Sequence, residues 1–229
     1  MTLVNNSTRP IRSYVLRQGR SSKSQQTARE LYWAQYGLDV LEGFFDWHTV
    51  FGRDAKRVLE IGFGMGDSLI ALAKANPQTD YIGIEVHPPG VGRCLAQAHA
   101  MGLTNLKILS KDAVVVLQHA ILDGSLDSIL LYFPDPWPKT KHHKRRIVQS
   151  TFVNLVAQKL KPNGTFQLAT DWQPYADHML AILEPCPHFE NAFGQGKFAP
   201  KQYQRPFTKF EARGLKLGHD IWDLVYQKR

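Results

Sequence analysis

The chain has 229 residues, 43% of them apolar, and 28 Lys plus Arg against 20 Asp plus Glu give a formal charge of +8. This is enough for one sizeable core in a single large domain, and twelve Phe, eight Tyr and five Trp exclude general disorder. Two isolated cysteines exclude a disulfide scaffold, no apolar signal core follows the basic N-terminus and no run is long enough to span a bilayer, so a soluble cytoplasmic protein is expected.

The positive charge is clustered. Residues 1–29 hold six Arg or Lys and no acid, residues 139–146 hold five more without an acid, and residues 197–229 hold eight bases against three acids. Such patches focus a field on phosphates, although charge alone does not establish a nucleic-acid partner.

In chain order, residues 1–23 read as a flexible basic arm with a small hydrophobic anchor within 12–20, and residues 24–229 as one domain. A helix is expected after Ser24, with Ala28, Leu31 and Tyr32 on one face and Gly37 as its stop. A βα alternation begins at Arg57 with the strand R-V-L-E-I-G. The glycines Gly62, Gly64 and Gly66 follow, then a helix turning Leu69, Leu72 and Ala73 inward and ending at Asn76-Pro77. The second strand, Y-I-G-I-E-V, closes near Glu85, and the next helix stripes Val91, Cys94, Leu95 and Ala98. The third strand, L-K-I-L-S, runs into Asp112. The fourth, L-D-S-I-L-L-Y-F, is apolar enough to be covered on both faces. A helix from about Lys144 to Leu160 follows, then a turn at Pro162-Asn163-Gly164, a fifth strand T-F-Q-L-A-T ending at Asp171, and a helix from about Pro174 to Leu183. Residues 207–212 and 219–226 read as two strands without an intervening helix. The expected fold class is α/β and Rossmann-like: a mostly parallel doubly wound sheet with a C-terminal antiparallel hairpin.

The segment E-I-G-F-G-M-G, residues 60–66, suggests a ligand at the strand ends. Its spacing is G-x-G-x-G rather than the dinucleotide G-x-G-x-x-G, and Glu60 precedes it. A carboxylate repels a pyrophosphate but suits a ligand bearing an ammonium and a sulfonium, as S-adenosylmethionine does. Glu85 is placed to accept ribose hydroxyls and Asp112 the adenine amino group. An acid on a ribose is ambiguous, because NAD sites use one too, whereas three acids at three successive strand ends favour the methyl donor.

The fourth strand continues into Y-F-P-D-P-W-P-K-T-K-H-H-K-R-R-I, residues 132–147. Three prolines in five residues stiffen this loop and restrict Asp135. Lys144, Arg145 and Arg146 would stand near a helix start, the wrong end for cations, which suggests phosphate binding as compensation. His142 and His143 lack zinc-helix spacing, so no metal site is expected. A-T-D-W places Asp171 at the fifth strand's end. Carboxylates at Asp135 and Asp171 suit the N1–H and exocyclic amine of guanine. Trp137 and Trp172 are each a candidate for stacking on the base or for the core. Guanine N7 is a neutral lone pair, so methylating it calls for alignment and electrostatics rather than a strong base.

These stretches, together with R-S-Y-V-L-R-Q-G-R, G-I-E-V-H-P-P-G-V-G, A-T-D-W-Q-P-Y-A and R-P-F-T-K-F-E-A-R-G-L-K-L-G-H-D-I-W-D-L, resemble the bacterial tRNA (guanine-N7-)-methyltransferase family, from Arg12 to Leu224. The proline-rich segment and the T-K-F-E-x-R-G tail are its most specific parts. The resemblance implies S-adenosyl-L-methionine as methyl donor, no metal, and tRNA as partner, with guanine 46 of the variable loop as target and SN2 transfer to its N7. It implies donor contacts from Glu60, the loop glycines, Glu85, Asp112 and Asp135, with Asp135 also the catalytic residue. It implies substrate contacts from Lys139, Asp171, Thr208, Lys209, Phe210 and Glu211, and RNA contacts from Lys141, His142, His143, Lys144, Arg145 and Arg146. Arg17 and Arg20 of the arm are expected to clamp phosphates. Monomer and homodimer both remain compatible with the sequence.

Overall fold

The computed structural model describes residues 12–15, 21–40, 43–200, 203, 205, 211 and 220–229. Among these, Arg57 begins the expected alternation. Strands β1 (Lys56–Ile61), β2 (Thr79–Ile84), β3 (Leu106–Leu109), β4 (Leu126–Tyr132) and β5 (Leu160–Thr170) are parallel neighbours, joined by β7 (Trp222–Lys228), which is antiparallel to β5, and by β6 (Phe189–Asn191), which is antiparallel to β7. The order across the sheet is β3-β2-β1-β4-β5-β7-β6. This is the Rossmann-like architecture with antiparallel C-terminal strands.

Helices cover both faces because the strands alternate. On β1, Leu59 and Ile61 enter a core shared with α5 (Ala113–His119), α6 (Ser150–Lys159) and α7 (Gln173–Leu183), where Val116, Val156 and Met179 are fully buried. Opposite, Tyr81, Leu106 and Ile108 pack with α3 (Asp67–Ala75) and α4 (Pro88–Ala100) through Leu69, Cys94 and Leu95. Helix α1 (Lys23–Tyr36) begins in a capping box between Ser22 and Gln25 and joins this second layer through Tyr36. A short helix, α2 (Trp47–Phe51), is capped by Asp46. The chain winds outward from β1 to β3, then returns to β4 beside β1 and winds the other way. The C-terminal ends of β1 and β4 therefore flank the switch point, where such sheets open a crevice.

Three sequence expectations change here. The helix expected from Lys144 begins only at Ser150, and residues Thr140–Arg145 form a separate 3-10 turn. The cations therefore do not sit at a helix start, and the dipole conflict is absent. The antiparallel neighbours of β7 are β5 and β6. Of the expected strand 207–212, only Glu211 lies within the described residues, and it has helical backbone.

Candidate functional site

The glycine loop is held in left-handed backbone, with φ of 73° at Gly62, 58° at Gly64 and 85° at Gly66. Two glycines are demanded by their neighbours. A Cβ on Gly66 would lie 2.7 Å from the Cys94 Sγ, and one on Gly90 would lie 2.0 Å from the Gly64 carbonyl oxygen, so α4 can begin directly beneath the loop. The crevice above is lined by Gly62, Gly64, Glu85, Asp112 and Asp135, brought from the ends of β1, β2, β3 and β4. Four separate segments thus supply one site.

Glu85 is fixed by backbone. Its Oε2 accepts from the Gly64 amide at 2.8 Å, and its Oε1 accepts from Val86 at 2.7 Å and His87 at 2.9 Å. Asp112 caps α5, with Oδ1 accepting from Val114 at 2.9 Å and Val115 at 3.2 Å. Tyr14 lines the crevice beside it, and the Asp112 carboxylate adds to the burial that raises the Tyr14 phenol. Glu60, at the end of β1 before the glycine loop, is 3% exposed and is not among the residues that line the crevice. Burial pushes its carboxyl up to about 8; the nearby Ser68 hydroxyl opposes this without reaching hydrogen-bond geometry, and Glu85 adds to it. Its Oε2 is buried without a partner among the described residues. An orphaned carboxylate oxygen under a glycine cradle fits a ligand carrying an ammonium and would oppose a pyrophosphate.

The other side of the mouth is the proline loop. Phe133 (φ 51°) and Trp137 (φ 45°) flank Asp135 in left-handed backbone that non-glycine residues rarely adopt. Such strain costs on the order of 1–3 kcal/mol per residue and persists only where surroundings enforce it. Here they do. The Trp137 Nε1 donates to the Ser13 carbonyl at 3.0 Å. The Arg145 guanidinium lies 4.0 Å over the Trp137 ring and donates to the carbonyls of Arg12 at 3.1 Å and Tyr14 at 3.4 Å. Ser13 and Tyr14 thereby line the same crevice as Asp135.

Arg146 is only 3% exposed. It donates to the Pro136 carbonyl at 2.9 Å and the Pro174 carbonyl at 3.5 Å, meets the His143 Nε2 at 3.1 Å, and lies 4.9 Å over Tyr175. The expected RNA contact is therefore corrected: this guanidinium braces the loop from inside. Lys139, Lys141 and Lys144 are exposed beside it, while His142 and His143 are half-buried. Partial burial and the neighbouring cations hold the His142 ring below its ordinary pKa. Asp171 is half-buried at the end of β5, and Trp172 beside it is 37% exposed. Trp137 is engaged by Arg145 and Ser13, which leaves Trp172 as the more accessible of the two stacking candidates. Glu211 accepts from the Arg205 Nη1 at 2.6 Å. Thr208, Lys209, Phe210, Arg17 and Arg20 lie outside the described residues. Among the described residues, no group of three or more His, Cys, Asp or Glu could hold a metal ion, and no helix is long and apolar enough to cross a membrane.

Sequence reading missed Tyr14, which lines the crevice from the arm, and Arg205, which no local pattern distinguishes from a surface base. Arg205 is next to Pro206 in the tail that the resemblance singled out, and this was the available signal.

A family model described as "Putative methyltransferase" matches residues 54–224. The chain is 52% identical over 96% of its length to the tRNA (guanine-N(7)-)-methyltransferase of Yersinia pestis (strain Pestoides F), covering 92% of that protein. Its fold resembles the 16S rRNA methyltransferase KamB, with a TM-score of 0.56 at 17% identity over 84% of this chain and 97% of that one. It also resembles a Streptococcus mutans protein solved in complex with SAH, with a TM-score of 0.52 at 9% identity over 92% of this chain and all (100%) of that one.

Proposed function

The chain belongs to the tRNA (guanine-N7-)-methyltransferase family, and on that premise we propose that it transfers a methyl group from S-adenosyl-L-methionine to N7 of a guanine in tRNA, guanine 46 of the variable loop. The observation that carries the proposal is the meeting of Glu85, Asp112 and Asp135 in one crevice, with exposed lysines on the adjoining loop. When bound, the donor supplies an electrophilic methyl on sulfonium, which a neutral lone pair takes by in-line SN2 displacement.

The chain's residues supply position and field. Glu85 and Asp112 hold the ribose and adenine ends, Glu60 offers a buried carboxyl beneath the glycine cradle that the donor's ammonium would draw into its ionised form, and the loop glycines give clearance. Asp135 touches the reacting pair and orients guanine. No proton is removed from N7, so Asp135 polarises rather than deprotonates. Asp171, Lys139 and the T-K-F-E residues Thr208, Lys209, Phe210 and Glu211 complete the guanine site. Lys141, His142, His143, Lys144 and Arg145 face the RNA backbone, and residues 1–23 act as an arm whose Arg17 and Arg20 clamp phosphates beside the single domain 24–229. Phosphate contacts set register and leave base choice to the mouth. The enzyme works in the cytoplasm.

The position is tested with an unmodified tRNA transcript and its variant carrying adenine at position 46. Transfer to the first and none to the second is expected. Equal transfer to both would refute position 46.

A further inference from the structure

Arg205 is a buried cation outside the residues so far assigned to chemistry, and its surroundings give it a specific place. Its side chain is 4% exposed. The Nε donates to the Asp223 Oδ1 at 2.5 Å and the Nη1 to the Glu211 Oε2 at 2.6 Å. The guanidinium lies 5.7 Å from the Tyr132 ring centroid and 5.2 Å from that of Phe133.

The sheet register explains why these partners coincide. Tyr132 of β4 pairs with Ala169 of β5, and Ala169 pairs with Asp223 of β7. The three form one row across adjacent strands, and residues in register share a face. Ala169 contributes only a methyl between the tyrosine and the carboxylate. Arg205 therefore touches both ends of a row that lies three residues before Asp135 on one strand and two before Asp171 on the next. Its other branch grips Glu211.

We infer that Arg205 is a positioning residue for guanine recognition, tying Glu211 to the strand ends that carry Asp135 and Asp171 so that all three carboxylates hold one geometry. The inference rests on the proposed guanine site. A planar guanidinium reaches two carboxylates through separate branches while stacking on aromatic faces; an ammonium on a flexible stem keeps the charge but loses the fork. Burial raises the Asp223 carboxyl even though Arg205 opposes it. Such a cluster holds together only while the fork is intact.

The test is Arg205→Lys, alone and combined with Glu211→Gln, with melting temperature, calorimetric affinity for S-adenosylhomocysteine, and steady-state methylation of unmodified tRNA measured on each. Displacing the carboxylates by about 1 Å lowers kcat/KM for tRNA about 10- to 100-fold, while affinity for S-adenosylhomocysteine stays within about twofold of wild type, the additivity error for uncoupled sites. In the Glu211→Gln background the Lys substitution adds little, because the group it positions is already altered. Wild-type kcat/KM for Arg205→Lys, the same penalty in both backgrounds, or a rate loss matched by lost S-adenosylhomocysteine affinity would each overturn the inference. If Arg205→Lys fails to fold, Asp223→Asn releases the other branch with the same expectations. A wild-type protein that methylates no tRNA would instead sink the proposed function and leave the Arg205 geometry standing.

Discussion

Glu85 and Asp135 line the same crevice, and the chain holds them by different means. Glu85 is 9% exposed, and three backbone amides, two from the next residues in the chain and one from the glycine loop, fix its carboxylate. Asp135 is exposed, on a loop whose flanking residues are strained and whose braces come from far away: Ser13 through Trp137, Arg12 and Tyr14 through Arg145, and Pro174 through Arg146. The proposed donor side is thus made by the backbone at strand ends. The proposed acceptor side is made by side chains that converge from the arm, the loop and the tail. A ligand of fixed shape suits the first arrangement; a folded RNA that must enter and leave suits the second. If the two sides are built independently, damage to one should spare the other.

The sharpest way to separate them is Asp135→Asn. Single-turnover methyl transfer at saturating donor and tRNA should fall about 100- to 1000-fold, the scale of losing one preorganised electrostatic contact. Near-wild-type transfer would remove Asp135 from catalysis.

Glu60 probes the donor side through pH. Its folded carboxyl titrates at about 8, above its ordinary value. The native state therefore keeps a proton that the unfolded state releases, so folding is most favourable below the ordinary carboxylate range, weakens as pH rises towards about 8, and is level above that. Glu60→Gln carries no such cost and should exceed wild type in stability by a few kcal/mol at pH 8, with the difference shrinking towards pH 5. Melting curves across that range check it; a pH-independent difference would contradict the buried, orphaned carboxylate.

Glu85→Ala strands three amide donors and should weaken S-adenosylhomocysteine binding about tenfold or more, with tRNA affinity unchanged by filter binding. Arg146 and Lys144, two residues apart, sharpen the comparison within the acceptor side. Arg146→Ala should destabilise the fold by about 2 kcal/mol, because it removes a buried guanidinium from carbonyl acceptors. Lys144→Ala should leave the melting temperature alone and reduce the salt slope of tRNA binding by about one.

The difference between the two sides also explains what could be read from sequence. Glu85, Asp112 and the glycines were legible because strand ends and turns are local patterns, and a parallel sheet gathers successive strand ends in one place. β1 to β5 were legible for the same reason. Arg146 was not, because nothing in a run of five bases tells which one turns inward; its acceptor Pro174 is 28 residues away. The braces from Arg145 to the arm span 133 and 131 residues. The basic run and the following helix have no sequence break between them, yet a 3-10 turn holds the cations and the helix starts only at Ser150, so no conflict with its dipole exists. β6 was missed because three residues make no periodic signal.

The most direct measurement of the whole account is to incubate the protein with isotopically labelled S-adenosyl-L-methionine and total unmodified tRNA, digest the product, and map the labelled atom. The account predicts label on N7 of a single guanine in the variable loop. Label on any other atom or base, or none at all with folded protein that binds S-adenosylhomocysteine, would contradict it.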